Sequence, residues 1–141
     1  MSVIDALQAA LAGEHAVIWG YGVVGAEVTA AQRPDVRAAE QAHRSRRDQT
    51  ADLLLSMAAV PTEAEAYYEL PFPVIDPASG LRLAVHLEQG AAAAWRFVLG
   101  GTDDGELRRT ALAGLTEAAL QATRWRLVAG IQPATVAFPG Q

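Results

Sequence analysis

The stretch that decides the fold is residues 60–77, VPTEAEAYYELPFPVIDP. It contains Pro61, Pro71, Pro73 and Pro77. Proline lacks a backbone N–H and its ring clashes with the preceding helical turn, so this stretch cannot be one long helix. We predict a short helical turn near residues 63–68 and an extended segment over residues 70–74. About 17 residues of connection are long enough to run back along a helical domain.

Two helices are predicted on each side of this stretch. They cover roughly residues 2–31, 34–59, 77–99 and 103–129, and are rich in alanine, the strongest helix former. The first two helices are joined by a short turn, as are the last two, so each pair is predicted to be an antiparallel hairpin. One long crossover between two hairpins predicts an all-α four-helix bundle with up-down-down-up topology.

The helix ends carry recognisable signals. Ser2 with Asp5 forms a plausible capping box, and Pro34 suits the first turn of the second helix. Asp76 followed by proline predicts the start of the third helix, and Asp103 is predicted to cap the fourth. After the fourth helix, residues 131–141 are predicted to form an ordered strap across the bundle.

Length and composition restrict the kind of protein. The chain has 141 residues, which predicts one domain over residues 1–141. Its net charge of -5 argues against nucleic acid as a partner. The lack of cysteine excludes disulfides, zinc–thiolate sites and iron–sulfur clusters. No apolar run approaches the ~20 residues of a membrane span, and the first residues do not resemble a signal peptide, so no membrane and a cytoplasmic location are predicted.

Helical periodicity places several polar residues on inward faces. Placing successive residues ~100° apart puts Glu14 within the apolar face of the first helix and Glu88 within that of the third. On the second helix, His43 and Arg47 face inward, whereas Glu40 lies at the edge of the inward face. Buried carboxylates are costly without partners, so a metal ion or basic side chains must accompany them.

Several motifs of the chain are similar to a known family. They are residues 14–26, EHAVIWGYGVVGA, with residues 43–48, HRSRRD, Trp95, Trp125-Arg126 and Phe138-Pro139-Gly140. These motifs resemble those of small alanine-rich bacterial ferritin-like proteins of unknown function. Ferritin-like proteins hold two iron or manganese ions with a Glu on the first and third helices and Glu-x-x-His on the second and fourth. The resemblance implies a ferritin-like bundle, with Glu14, Glu40, His43 and Glu88 as the candidate metal ligands.

The ligand pattern is incomplete in this chain. The fourth helix has Glu117-Ala118-Ala119-Leu120, which lacks the second histidine, and its periodicity points Glu117 outward. The predicted helix ends offset Glu40 from Glu14 by roughly 15 Å along the bundle, and instead bring Arg47 level with Glu14. Because a guanidinium satisfies a buried carboxylate as a metal would, we predict a degenerate metal site with an internal ion-pair network, in which Arg47 pairs with Glu14.

Three functions follow from these predictions. The preferred one is a bundle without catalytic residues or cofactor, which acts by self-association, as a dimer, or by binding a protein partner. The outward-facing Trp19 and the glycine-rich second half of the first helix favour such contacts, although Trp19 can also contact the crossover or the tail. The alternative is an iron- or manganese-dependent oxidoreductase or metal-storage protein. A second alternative is a small-molecule binding module.

Overall fold

The computed structural model describes residues 2–141, which form four helices and no strand. The helices are α1 (Val3–Glu27), α2 (Arg33–Ser56), α3 (Pro77–Gly100) and α4 (Gly105–Ala129). The predicted order of helices and the long connection between α2 and α3 are confirmed. In the described chain no helix is long and apolar enough to cross a membrane.

The helix caps follow the sequence signals with one correction. Ser2 and Asp5 form the predicted capping box, and Asp76 forms another with Ser79 at the start of α3. The cap of α4 is Asp104, whose side chain accepts from Leu107 N at 2.9 Å, so the prediction of Asp103 was wrong by one residue. Asp103 and Asp104 are adjacent in the sequence. Asp104 is the one that lies three residues before Leu107, whose backbone N–H has no partner within the helix.

The crossover lies along α1 without forming a helix. The amide of Gln8 donates to Val60 O at 2.7 Å and accepts from Thr62 N at 2.8 Å. The predicted helical turn at residues 63–68 is absent, since a segment this short does not repay the cost of helix nucleation. Trp19 packs against Tyr68, with 5.9 Å between ring centroids, so its outward side chain contacts the crossover, one of the predicted partners.

The helices pack as an incompletely closed bundle. Helix α1 packs against both α2 and α3, and α3 packs against α4, whereas α2 and α4 share little packing. Two apolar clusters fill the core, one around Tyr21 and Trp125 and the other around Leu11 and Trp95. On α1, Glu14 lies between Leu11 of one cluster and Val17 of the other. The space between α2 and α4 is hereafter called the α2/α4 groove.

One glycine of α4 is required by close packing. A Cβ at Gly114 would lie 2.7 Å from Trp95 Cγ, and the buried indole cannot move away. We expect Gly114→Ala to lower the free energy of unfolding by about 1–3 kcal/mol, because overpacking outweighs the gain in helix propensity. Gly90→Ala is the matched control. A Cβ there meets nothing within 4 Å, so this change should stabilise the protein in a urea titration. Equal effects of the two substitutions would contradict this packing.

Candidate functional site: a buried charge network

Three ionisable side chains from three helices meet in the interior. Glu14 of α1, His43 of α2 and Glu88 of α3 are 1%, 3% and 0% exposed. His43 Nδ1 lies 2.5 Å from Glu14 Oε2, and His43 Nε2 lies 2.8 Å from Glu88 Oε1. The imidazole therefore joins the two carboxylates, one at each ring nitrogen.

Aromatic side chains satisfy the outer ends of this network. Trp95 Nε1 donates to Glu14 Oε1 at 2.8 Å. Tyr21 Oη donates to Glu88 Oε1 at 2.5 Å and accepts from Trp125 Nε1 at 2.9 Å. Five hydrogen bonds thus run without interruption from Trp95 to Trp125 through four side chains, those of Glu14, His43, Glu88 and Tyr21. Helical periodicity does not indicate that these aromatic side chains bind the carboxylates. The general need of a buried tyrosine or tryptophan for a polar partner is the signal that could have indicated it.

Between two ionised carboxylates, His43 can donate to both only if its imidazole is protonated. A neutral imidazole donates from one nitrogen only, whereas both nitrogens here face carboxylates. Burial by itself lowers the pKa of His43, but the hydrogen bonds and charges of Glu14 and Glu88 outweigh it and raise the pKa from 6.5 to about 9. Burial and the adjacent Glu88 carboxylate raise the pKa of Tyr21 well above its ordinary value, so the phenol stays a neutral donor. At neutral pH the cluster is an imidazolium between carboxylates.

The partner predicted for Glu14 was wrong. Arg47 is half-buried at the surface, and its Nε donates to Asp48 Oδ1 at 2.8 Å. The error came from the end of the first helix. Because α1 ends at Glu27, about one turn earlier than predicted, the residue of α2 level with Glu14 lies about one turn nearer the start of α2, towards His43 and away from the predicted position beyond Arg47.

Glu40 does not join the network either. Its carboxylate binds Arg44, one turn further along α2, at 2.9 Å. Of the four candidate metal ligands, the structure therefore brings Glu14, His43 and Glu88 together and leaves Glu40 outside.

The α2/α4 groove reaches the inner cluster. A cavity of about 190 Å³ there is lined by His43 and Glu88 from the interior and by Arg46 and Glu117 from the groove walls. Arg46 and Glu117 form an ion pair that bridges α2 and α4. Among the described residues, Glu88 Oε2 is the one buried side-chain oxygen that has no hydrogen-bond partner.

The sequence profile of a family described as a domain of unknown function, DUF4439, matches residues 6–141. The chain belongs to the DUF4439 family. A comparison with curated proteins found no match.

Two solved structures are similar to this DUF4439 chain. A conserved hypothetical protein, rv2844, from Mycobacterium tuberculosis is 40% identical, with a TM-score of 0.86 over 88% of this chain and 94% of that one. A dodecameric thioferritin, the bacterioferritin-related protein from Bacteroides fragilis, is 24% identical, with a TM-score of 0.74 over 88% of this chain and 82% of that one. This likeness confirms the predicted ferritin-like four-helix fold.

The side chains of this DUF4439 chain do not, as arranged, fit the two-metal centre that the fold implies. The two imidazole nitrogens point in different directions, so carboxylates bound at both of them cannot share one ion with the ring. No group of three or more His, Asp or Glu side chains within residues 2–141 is arranged to hold a metal ion. Glu117 is 60% exposed and is paired with Arg46, which places a permanent cation beside the cluster.

Proposed function

We propose that this DUF4439 chain is a ferritin-like bundle that works without a metal cofactor and acts by self-association as a dimer. The observation that carries the proposal is the position of His43 between Glu14 and Glu88. The groups that would bind metal ions instead bind one another. Breaking such a buried pair costs about 3–5 kcal/mol, so a metal ion must compete with an internal cation already in place.

The α2/α4 groove is the surface that would carry the association. Its wider end has a volume of about 610 Å³ and is lined by alanines of α2 and by Leu127 and Val128 of α4. Leu127 is 64% exposed and Val128 is 50% exposed, and neighbouring apolar groups left open to water mark interaction surfaces. Asp35 and Arg124 line the same end, so two copies related by a two-fold axis would be complementary in charge.

The fold itself supports association. The Bacteroides fragilis protein with the same fold is dodecameric, so a bundle of this fold can assemble from several copies. For the present chain we propose the smaller assembly, a dimer, because the exposed apolar side chains Leu127 and Val128 lie together at one end of the groove.

Sedimentation equilibrium tests the association. We expect the wild type to form a dimer at micromolar concentrations, and Leu127→Glu to weaken dimerisation at least tenfold, since a charge would be buried in the groove. Leu55→Glu is the matched control: Leu55 is 59% exposed on α2 but does not line the groove. A wild type that stays monomeric, or equal effects of the two substitutions, would contradict the proposed surface.

An iron or manganese protein is the second candidate function. The observation that favours it is Glu88 Oε2, a buried carboxylate oxygen without a donor, which lies in the wall of the cavity that also contains His43 and Glu117. Metal analysis of protein purified without chelator distinguishes the two functions. We expect less than about 0.1 equivalent of bound metal per protein chain, and no change in the melting temperature when EDTA is added. Stoichiometric iron or manganese that is lost in Glu88→Gln would replace our proposal with the metal function.

A further inference from the structure

A second cleft lies on the other side of the bundle, beneath the C-terminal tail. It has a volume of about 660 Å³ and is bounded by α3, α4 and residues 135–141. The tail is held down at its end, where a Cβ at Gly140 would lie only 2.8 Å from Ala92 O. A volume of this size is within the ~300–1,000 Å³ of sites that bind small molecules.

Arg126 gives this cleft an unusual charge. The side chain is 5% exposed, and its guanidinium makes one hydrogen bond, from Nη1 to Ala134 O at 3.3 Å. Nowhere in residues 2–141 does a carboxylate lie within ion-pair distance of it. A guanidinium has five N–H donors, and the donors of Arg126 that no protein group accepts keep some contact with solvent. The cleft therefore offers a buried cation that lacks an anion.

The remaining walls are mostly apolar. They include Ala92 of α3, Leu115, Ala119 and Leu120 of α4, and Val136 and Phe138 of the tail. Phe138 is 69% exposed, so a large apolar ring stands at the rim of the cleft. Within the described chain Arg126 is the only cationic side chain lining the cleft. Glu88 also lines it; Oε1 of this carboxylate is bound by His43 and Tyr21, whereas Oε2 has no hydrogen-bond partner.

We propose that this cleft binds a small amphipathic carboxylic acid, with the carboxylate on Arg126 and the hydrocarbon chain between the helices and the tail. A carboxylate accepts two parallel N–H bonds from a guanidinium, and this pairing is strongest where water is excluded. The apolar walls add affinity in proportion to the hydrocarbon surface that they cover. The cleft shares Glu88 and Leu120 with the inner cavity of the α2/α4 groove, but Arg126 and the tail line the cleft and not the groove, so the proposed binding does not depend on self-association.

Isothermal titration calorimetry with octanoate tests the site. We expect octanoate to bind the wild type. We expect 1-octanol, which lacks the carboxylate, and inorganic phosphate, which lacks the hydrocarbon chain, each to bind at least tenfold more weakly. Arg126→Gln should weaken octanoate binding at least tenfold. Arg82→Gln is the control, since this exposed arginine of α3 lines neither the cleft nor the α2/α4 groove.

A second variant tests the same site in case Arg126→Gln does not fold. Ala119→Phe fills the cleft with a ring while keeping the guanidinium, and should abolish octanoate binding. Ala113→Phe adds the same ring to α4 at an exposed position outside the cleft and should leave binding unchanged. The proposal is overturned if the wild type does not bind octanoate at millimolar concentrations, or if 1-octanol binds as tightly as octanoate, or if Ala119→Phe binds as the wild type does.

Discussion

His43→Gln is expected to lower the free energy of unfolding by about 3–5 kcal/mol near pH 7, as when one partner of a buried ion pair is removed. Glutamine can still hydrogen-bond, but it carries no charge, so the carboxylates of Glu14 and Glu88 would remain in the core without a cation. Both are at most 1% exposed, and water cannot take over the role of the imidazolium. Urea unfolding followed by circular dichroism measures the loss.

The control for this substitution is His86→Gln on α3. His86 is exposed and touches only the edge of Phe72, so its replacement should change stability by less than about 0.5 kcal/mol. If His43→Gln is as stable as the wild type at pH 7, the core does not contain an ionic cluster.

Raising the pH from 6 to 9.5 is expected to lower the stability of the wild type by about 3 kcal/mol, which is the free energy of a pKa shift from 6.5 to about 9. The pKa of His43 is higher in the folded protein, so the folded state holds the proton more tightly. The stabilisation is complete below pH 6.5, where both states are protonated. It falls once the unfolded chain releases the proton and is lost as the pH passes through 9.

The same titration on His43→Gln isolates this contribution. The variant lacks the ionisable group, so its stability should change little over the same pH range. Stopping at pH 9.5 avoids the titration of tyrosine side chains, which would otherwise add a second slope. A wild-type stability that is flat between pH 6 and pH 9.5 would show that His43 does not hold its proton more tightly when folded.

The fold was predictable because its determinants are local. The prolines of residues 60–77 exclude one long helix across this stretch, so they fix the long connection between the second and third helices. Asp76 with Pro77 marks the start of α3 by its own chemistry, and the structure places that start as predicted. Periodicity likewise placed Glu14, His43 and Glu88 inside, since an inward direction depends only on spacing along one helix.

The pairing within the site was not predictable from the same signals. Which residue of α2 lies opposite Glu14 depends on where α1 ends, and one turn of helix separates His43 from Arg47. The sequence after Glu27 contains alanines that favour helix, so nothing local marks the end. The buried side chain of Val28, which has an extended backbone and packs against Gly80, ends the helix through tertiary contact.

The cleft beneath the tail could not be predicted from the sequence for a similar reason. Periodicity placed Arg126 on the flank of the apolar side of its helix, where either solvent or a neighbour could satisfy it. Its burial results from residues 131–141 folding back over α3 and α4, and that path is set by contacts distant in sequence, such as Gly140 against Ala92. Tertiary contacts of this kind leave no periodic pattern in the chain.

The protonation state of His43 tests the central claim most directly, and nitrogen-15 NMR of the imidazole rings measures it. The account predicts that at pH 7.5 both ring nitrogens of one buried histidine carry protons and that this ring titrates near 9, with the signal absent from His43→Gln. A ring that carries one proton at pH 7.5, and titrates near 6.5 or below, would show that the core does not hold an imidazolium between two carboxylates, because a neutral imidazole donates from one nitrogen only.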